Sequence, residues 1–176
     1  GLALIEETRL LLGLYEDGMT RGQLSEKALN SGQFPLVSAR RLRNIVVECF
    51  APRYMRTPGA ASVLKLLANG LTRQEFSQLL LLYTARANLV LYEFIREFYW
   101  PRYSAGRDSI TLDDAREFVL TAVREGKTQK PWSDTTIKRI SSYLVSSCAD
   151  YGLLSDNVRG PRSILPFRIQ PKVAAY

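Results

Sequence analysis

No histidine occurs among the 176 residues, and only two cysteines do, Cys49 and Cys148. The missing imidazole removes His-ligated zinc, the Ser-His-Asp and Cys-His nucleophile systems, and histidine acid–base catalysis. Two cysteines cannot form a disulfide framework, so nothing in their number argues for secretion. The sequence also lacks a glycine loop able to cradle phosphate and any long uncharged apolar run. Its most apolar stretch, Leu79 to Trp100, carries Arg86, Glu93, Arg96 and Glu97. It therefore fails the roughly 20-residue uncharged span that a bilayer demands. Leu2 to Leu14 is interrupted by Glu6, Glu7 and Arg9 and does not read as a signal peptide. These absences predict a soluble, cytoplasmic protein with no membrane partner, no metal, no cofactor and no enzymatic activity. Because the chain opens on Gly1 rather than methionine, we expect a short N-terminal piece to be missing.

What is present is an ordinary apolar fraction, 46%, enough for a core at this length, with a basic surplus of +7. The surplus is localised. Residues 1–19 carry a net −3, residues 20–56 a net +5, residues 57–123 no net charge and residues 124–176 a net +5. Two basic segments around a neutral centre suggest a polyanion footprint made by two elements. A solvated basic surface with no partner is the plainer alternative.

The chain reads as helices. Thr20-Arg-Gly-Gln23, Thr72-Arg-Gln-Glu75 and Thr111-Leu-Asp-Asp114 have the form of capping boxes, and Ser38 and Ser133 sit where single N-caps belong. Pro52 and Pro101 are expected to end helices, Thr57-Pro58 to begin one, and Asn69-Gly70 to close it in the left-handed region. The helix opened by Thr72, running through Leu79 to Leu82, and the one from Leu89 to Trp100 are apolar on every side. They are expected as a central hairpin or as one helix through Asn88. Leu153-Leu154 and Ser163-Ile-Leu165 are short extended candidates around Gly160-Pro161. The predicted fold is mainly α, a compact helical bundle in three segments. Residues 1–56 form a helix-turn-helix-like pair, residues 57–110 an apolar core, and residues 111–176 a winged-helix-like unit with a short β-hairpin.

Two constellations carry chemistry. On a helical wheel for Ser133 to Tyr151, the residues Ile137, Ile140, Leu144 and Cys148 share one side, while Thr135, Lys138, Arg139, Ser142 and Ser146 share the other. Hydroxyls and cations without a carboxylate suit a helix lying in a DNA major groove, where Lys and Arg reach phosphates or guanine edges. The preceding helix would brace it, and the extended pair with Arg159, Arg162 and Arg168 would be a wing on the adjacent backbone. Lys127 and Lys130 in the connector add to the basic surface. The second constellation follows Ser38: Arg40, Arg43, Asn44 and Val47 lie opposite Leu42, Ile45, Val46 and Cys49, with Arg41 at the flank. The turn before it, Ser31 to Val37, is longer than the compact turn of the usual motif.

Other groupings read as structure. Tyr92, Phe94, Phe98, Tyr99 and Trp100 fall mostly at core spacing rather than as a stacking platform. Asp113, Asp114 and Glu117 occupy a first helical turn, which the macrodipole favours. Cys49 and Cys148 both point inward and read as core thiols.

Several runs resemble one family, the BrxA proteins of the BREX phage-exclusion islands. These are Gly1-Leu-Ala-Leu-Ile-Glu-Glu-Thr-Arg9, Ser38-Ala-Arg-Arg-Leu-Arg43 with Arg53-Tyr54, Trp132-Ser-Asp-Thr-Thr-Ile-Lys-Arg139, Ala149-Asp-Tyr-Gly-Leu-Leu154 and Ile164-Leu-Pro166. The resemblance implies a compact, mostly helical protein encoded beside a methyltransferase and ATPases. It also implies DNA binding in a system that blocks phage replication and marks host DNA by methylation. It brings no catalytic residues. The expectation is a non-enzymatic double-stranded DNA-binding protein of weak sequence preference. The rivals are a protein–protein adaptor within a defence complex and an RNA binder resembling helical antitermination factors.

Overall fold

The computed structural model describes residues 3–128, 130–157 and 159–176. Gly1 and Leu2 of the first family-like run, Gln129 of the basic connector and Val158 of the expected wing lie outside the described residues. The described residues are mainly helical, and they divide into two units. An N-terminal unit comprises Leu4–Ala87 and Gln170–Tyr176; a C-terminal unit comprises Ala3 and Asn88–Ile169.

In the N-terminal unit, α1 is Ile5–Leu14, α2 Arg21–Asn30, α3 Ala39–Asn44, α4 Ala60–Ala68 and α5 Arg73–Ala87. Hydroxyl caps set several starts. Thr20 accepts the Gln23 N–H, and the Gln23 side chain accepts the Thr20 N–H at 2.8 Å. Thr72 and Glu75 exchange the same pair of bonds at 2.7 and 3.2 Å. The apolar stripes of these helices then meet in a core of Leu11, Leu12, Leu24, Leu42, Val46, Phe50, Phe76 and Leu80.

Two local rules are overridden. Pro52 does not end its helix: α3 runs on as a π-helical segment, Ile45–Met55, with Pro52 inside. A π turn is wider than an α turn, which accommodates a ring that would clash with a carbonyl of the preceding α turn. Phe50 and Tyr54, both buried, lie on either side of the proline and hold the segment to the core. Similarly, α4 starts at Ala60 rather than at Thr57-Pro58, because Gly59 adopts φ +77° and turns the chain there. Its far end closes with the Gly70 N–H on Leu67 O at 2.9 Å, without a left-handed residue. Cys49 is half-buried rather than a core thiol.

An unanticipated short helix, α10 (Pro171–Ala175), completes this unit. The Gln170 N–H donates to Gln78 Oε1 at 2.9 Å and Lys172 donates to Gly70 O at 3.1 Å. Val173 is buried, and the hydroxyls of Tyr176 and Tyr83 are hydrogen-bonded.

The C-terminal unit begins its helices at Asn88, whose side chain caps α6 (Leu89–Glu93) by accepting the Leu91 N–H at 3.1 Å. The helix continues as a π-helical segment, Phe94–Tyr99, and as α7, Trp100–Ser104. Pro101 therefore sits within a continuing helix and does not end it. The expected all-round burial is also corrected: Leu91, Phe94, Phe98 and Tyr99 are buried, but Leu89 and Tyr92 are exposed. Phe118 from α8 (Leu112–Arg124) meets Phe94 and Phe98 at centroid distances of 5.3 and 5.6 Å. Helix α9, Asp134–Asp150, packs along α8.

The small sheet differs from the expected hairpin. Residues 109–110, between the apolar core segment and the helix opened by Thr111, form β1 (Ser109–Ile110). It pairs antiparallel with β2 (Arg162–Ser163), Ser109 opposite Ser163 and Ile110 opposite Arg162. Leu154 joins the chain just past β2 only through a bridge to Ile164. The order in this unit is helix, strand, helix, helix and a return across the first strand.

Asp114 ties this architecture to pH. Burial raises its carboxyl, but the hydroxyl and N–H of Thr111 and the charge of Arg102 outweigh that and hold it below the usual aspartate range. A depressed carboxyl stabilises the fold above its unfolded value and loses that contribution as pH falls through the folded one. Thr111→Val should cost about 1 kcal/mol at neutral pH and flatten the acid limb of stability. Chemical denaturation followed by fluorescence at neutral and acid pH checks this, since Trp100 and Trp132 both belong to this unit.

Candidate nucleic-acid interface

Helix α9 starts where Ser133 accepts the Thr136 N–H at 3.3 Å. It stops where Gly152, at φ +77°, lets the Leu153 N–H bond back to Cys148 O at 2.8 Å. Between these ends, Ile137, Leu144 and Cys148 are buried. Burial pushes the Cys148 thiol up to about 12, so at neutral pH it is a packed, protonated group. The serines divide by side. Ser141 is buried and donates to Ile137 O at 2.8 Å, whereas Ser142 and Ser146 are half-exposed.

On the outer side, Thr135, Lys138 and Arg139 are exposed. Among the described residues neither Lys138 nor Arg139 is in an ion pair, although Asp134 occupies the first turn of the helix. With Thr136, Ile140, Ser142, Tyr143 and Ser146 they line a shallow open recess of about 610 Å³, so Ile140, expected on the buried side, is instead half-buried at its wall. Tyr143 is fixed there by the Asn88 amide, which donates to its hydroxyl at 3.1 Å. Periodicity alone does not single out Tyr143, which lies at the margin of the helical wheel; its partner is 55 residues away.

The remaining cations of this unit fall into different states. Lys130 and Arg159 are exposed. Lys127 is answered by Glu125 at 3.0 Å and Glu97 at 3.9 Å, and its hydrogen bond to Glu125 raises its pKa. The Arg162 side chain is only 13% exposed; its guanidinium donates to Ser155 O at 3.1 Å and lies 3.8 Å from Asp156. Arg162 therefore holds the segment that returns to β2. Arg168 is exposed.

In the N-terminal unit, Ser38 caps α3 by accepting the Arg41 N–H at 3.3 Å. Arg40, Arg41, Arg43 and Asn44 are all exposed, opposite buried Leu42, Ile45 and Val46. Among the described residues none of the three arginines is in an ion pair. The fold also brings Arg21 of α2 and Arg56, just past the π-helical segment, to one shallow recess of about 260 Å³. Their sequence separation leaves no local signal for that. Among the described residues no cluster of three acidic or thiol groups is arranged to hold a metal, and no helix is long and apolar enough to cross a membrane.

The class of protein these features describe is a mainly helical, two-unit chain, each unit presenting a basic helix face whose cations, among the described residues, stand outside ion pairs. A family model for BrxA matches residues 1–176, the full length of the sequence. The chain belongs to the BrxA family, the family of BREX phage-defence proteins anticipated by its sequence motifs. Among curated proteins the sequence finds no match.

The contrast between two arginines of the same segment is measurable. Arg162→Ala should speed hydrogen exchange at the Ser155 and Ser163 amides by roughly tenfold or more, since a lost charge-assisted bond is worth about 1.5–3 kcal/mol. Those amides donate to Ser163 O and Ser155 Oγ. Arg159→Ala should leave both amides unchanged.

Proposed function

We propose that this chain is a non-enzymatic, double-stranded DNA-binding protein of a cytoplasmic BREX system. The observation that carries the reading is the outer face of α9, where Thr135, Lys138 and Arg139 are exposed beside a half-exposed Ser142 and the two cations stand outside ion pairs among the described residues. Duplex DNA is a dense line of negative charge whose major groove admits an α-helix. Hydroxyls and cations on one helix side match phosphate oxygens and base edges together. The C-terminal unit supports this through its order of elements. A helix, a strand, two helices and a segment returning across the first strand match the order of a winged helix. In this reading α9 is the recognition helix. The segment between Leu154 and β2 is the wing, with Arg159 at the phosphates and Arg162 bracing it. Lys130 and Arg168 extend the basic surface.

The N-terminal unit supplies the second contact. Arg40, Arg41 and Arg43 neutralise phosphates, and Asn44 lies beside them on the same exposed side. Phosphate contacts position a protein without reading sequence, so weak sequence preference is expected. Other proteins of the system, a methyltransferase and ATPases, are the partners that DNA held in this way would serve.

Binding to a duplex measured by fluorescence anisotropy across a salt series tests the reading. With about six phosphates engaged, log affinity falls against log salt with a slope near −5. Lys138→Ala/Arg139→Ala should weaken binding and lower the steepness of that slope by about 2. A folded double variant that binds like wild type removes α9 from the interface. Competition by hairpin RNA or single strands as strong as that by duplex DNA favours an RNA binder. No shift with any nucleic acid, together with co-purification of a defence protein, favours an adaptor.

A further inference from the structure

The most exposed large apolar side chain among the described residues is Leu36, at 99%. Lone exposed leucines are common and need no explanation; the setting of this one is what distinguishes it. Leu36 lies in the turn between α2 and α3, two residues before the Ser38 cap and four before Arg40. The turn is anchored on both sides. Phe34 is buried, the Val37 N–H donates to Phe34 O at 3.1 Å, and Ser31 Oγ both donates to Ala28 O and accepts the Gln33 N–H. An ordered turn thus carries a leucine into water at the head of a helix whose exposed side is Arg40, Arg41 and Arg43.

We infer that Leu36 is a base-contacting residue: it meets the C5-methyl group of thymine on the floor of the major groove while the arginines behind it hold the phosphates. The inference rests on the DNA-binding reading given above and adds a sequence-reading element to its second contact. The charge of α3 draws the turn to a phosphate backbone, and phosphates offer nothing to an isobutyl group. The one apolar feature of the major-groove edge of a base pair is the thymine methyl. The groove, about 12 Å wide, admits a helix and the turn that leads it, which the narrower minor groove does not.

The test uses the full chain and four duplexes of equal length. One is alternating A·T, the second has uracil for thymine, and the third and fourth are alternating G·C without and with 5-methylcytosine, which carries the same methyl at the same edge. Wild type should bind the thymine duplex about fourfold more tightly than the uracil duplex, the equilibrium equivalent of one buried methyl. It should likewise prefer methylated to unmethylated G·C. Leu36→Ala, at a fully exposed position that leaves the core intact, should bind thymine and uracil duplexes equally. Arg40→Ala/Arg41→Ala should weaken both and keep the ratio. Equal binding of thymine and uracil duplexes by wild type overturns the inference while leaving the DNA-binding reading standing. Discrimination that survives Leu36→Ala overturns it too, placing the methyl contact elsewhere. Absence of binding to every duplex removes both the DNA-binding reading and this inference.

Discussion

Packing α9 along α8 buries Ile137, Leu144 and Cys148, and a turn of 3.6 residues then leaves Thr135, Lys138 and Arg139 facing water. The burial of the inner side fixes the presentation of the outer one. It works because the ends of α9 are also held: Ser133 caps its start, and the residues after Gly152 are clamped by the Tyr99 hydroxyl, which donates to Leu153 O at 3.1 Å. Tyr99 comes from the π-helical segment after α6, so the first helix of this unit sets where the chain leaves α9. From there Leu154 bridges to Ile164, and β2 pairs back to β1. A single packed face thus positions the basic side and the segment that follows it.

Short-range chemistry is what the sequence makes legible. The Thr20, Thr72 and Thr111 boxes form as their spacing requires, because both hydrogen bonds close within four residues. The inner stripe of α9 is equally local, a matter of periodicity. The features that escape a reading of the sequence depend on partners far along the chain. Pro52 and Pro101 are helix breakers by intrinsic behaviour, yet tertiary packing of Phe50, Tyr54, Phe98 and Tyr99 carries the helices past them, with π segments at or beside each proline. A two-residue strand such as β1 has no periodicity to detect, and only its distant partner β2 makes it a strand. Helix α10 is too short to announce itself, and its place depends on Gln78 and Gly70 of the N-terminal unit.

The basic residues make the same point about the candidate site. Charge counted along the sequence treats Arg159 and Arg162 alike, and Lys127 and Lys130 alike. Folding separates each pair. Arg162 turns to Ser155 O and Asp156, and the still exposed Lys127 pairs with Glu125 and Glu97, whereas among the described residues Arg159 and Lys130 are in no ion pair. A cation already answered by a carboxylate has less to gain from a phosphate, since the first partner must be given up. In each unit, then, the cations left for a polyanion are fewer than the net charge of +7 suggests. Lys138 and Arg139 are prominent in the C-terminal unit, and the three arginines of α3 in the N-terminal unit.

Two kinds of contact then divide the work at the proposed DNA surface, and salt separates them. Phosphate neutralisation draws its free energy from released counterions and weakens steeply as salt rises, whatever the sequence beneath. A leucine against a thymine methyl draws on apolar burial, which salt at moderate concentration leaves nearly untouched. Affinity and selectivity should consequently move apart: raising salt strips away total binding while the ratio between thymine- and uracil-containing duplexes persists. On the proposed reading the protein would settle on DNA by charge and sample the groove floor by shape, and its sequence preference would stay modest because the apolar contact comes from one side chain, Leu36, the most exposed large apolar residue among the described ones.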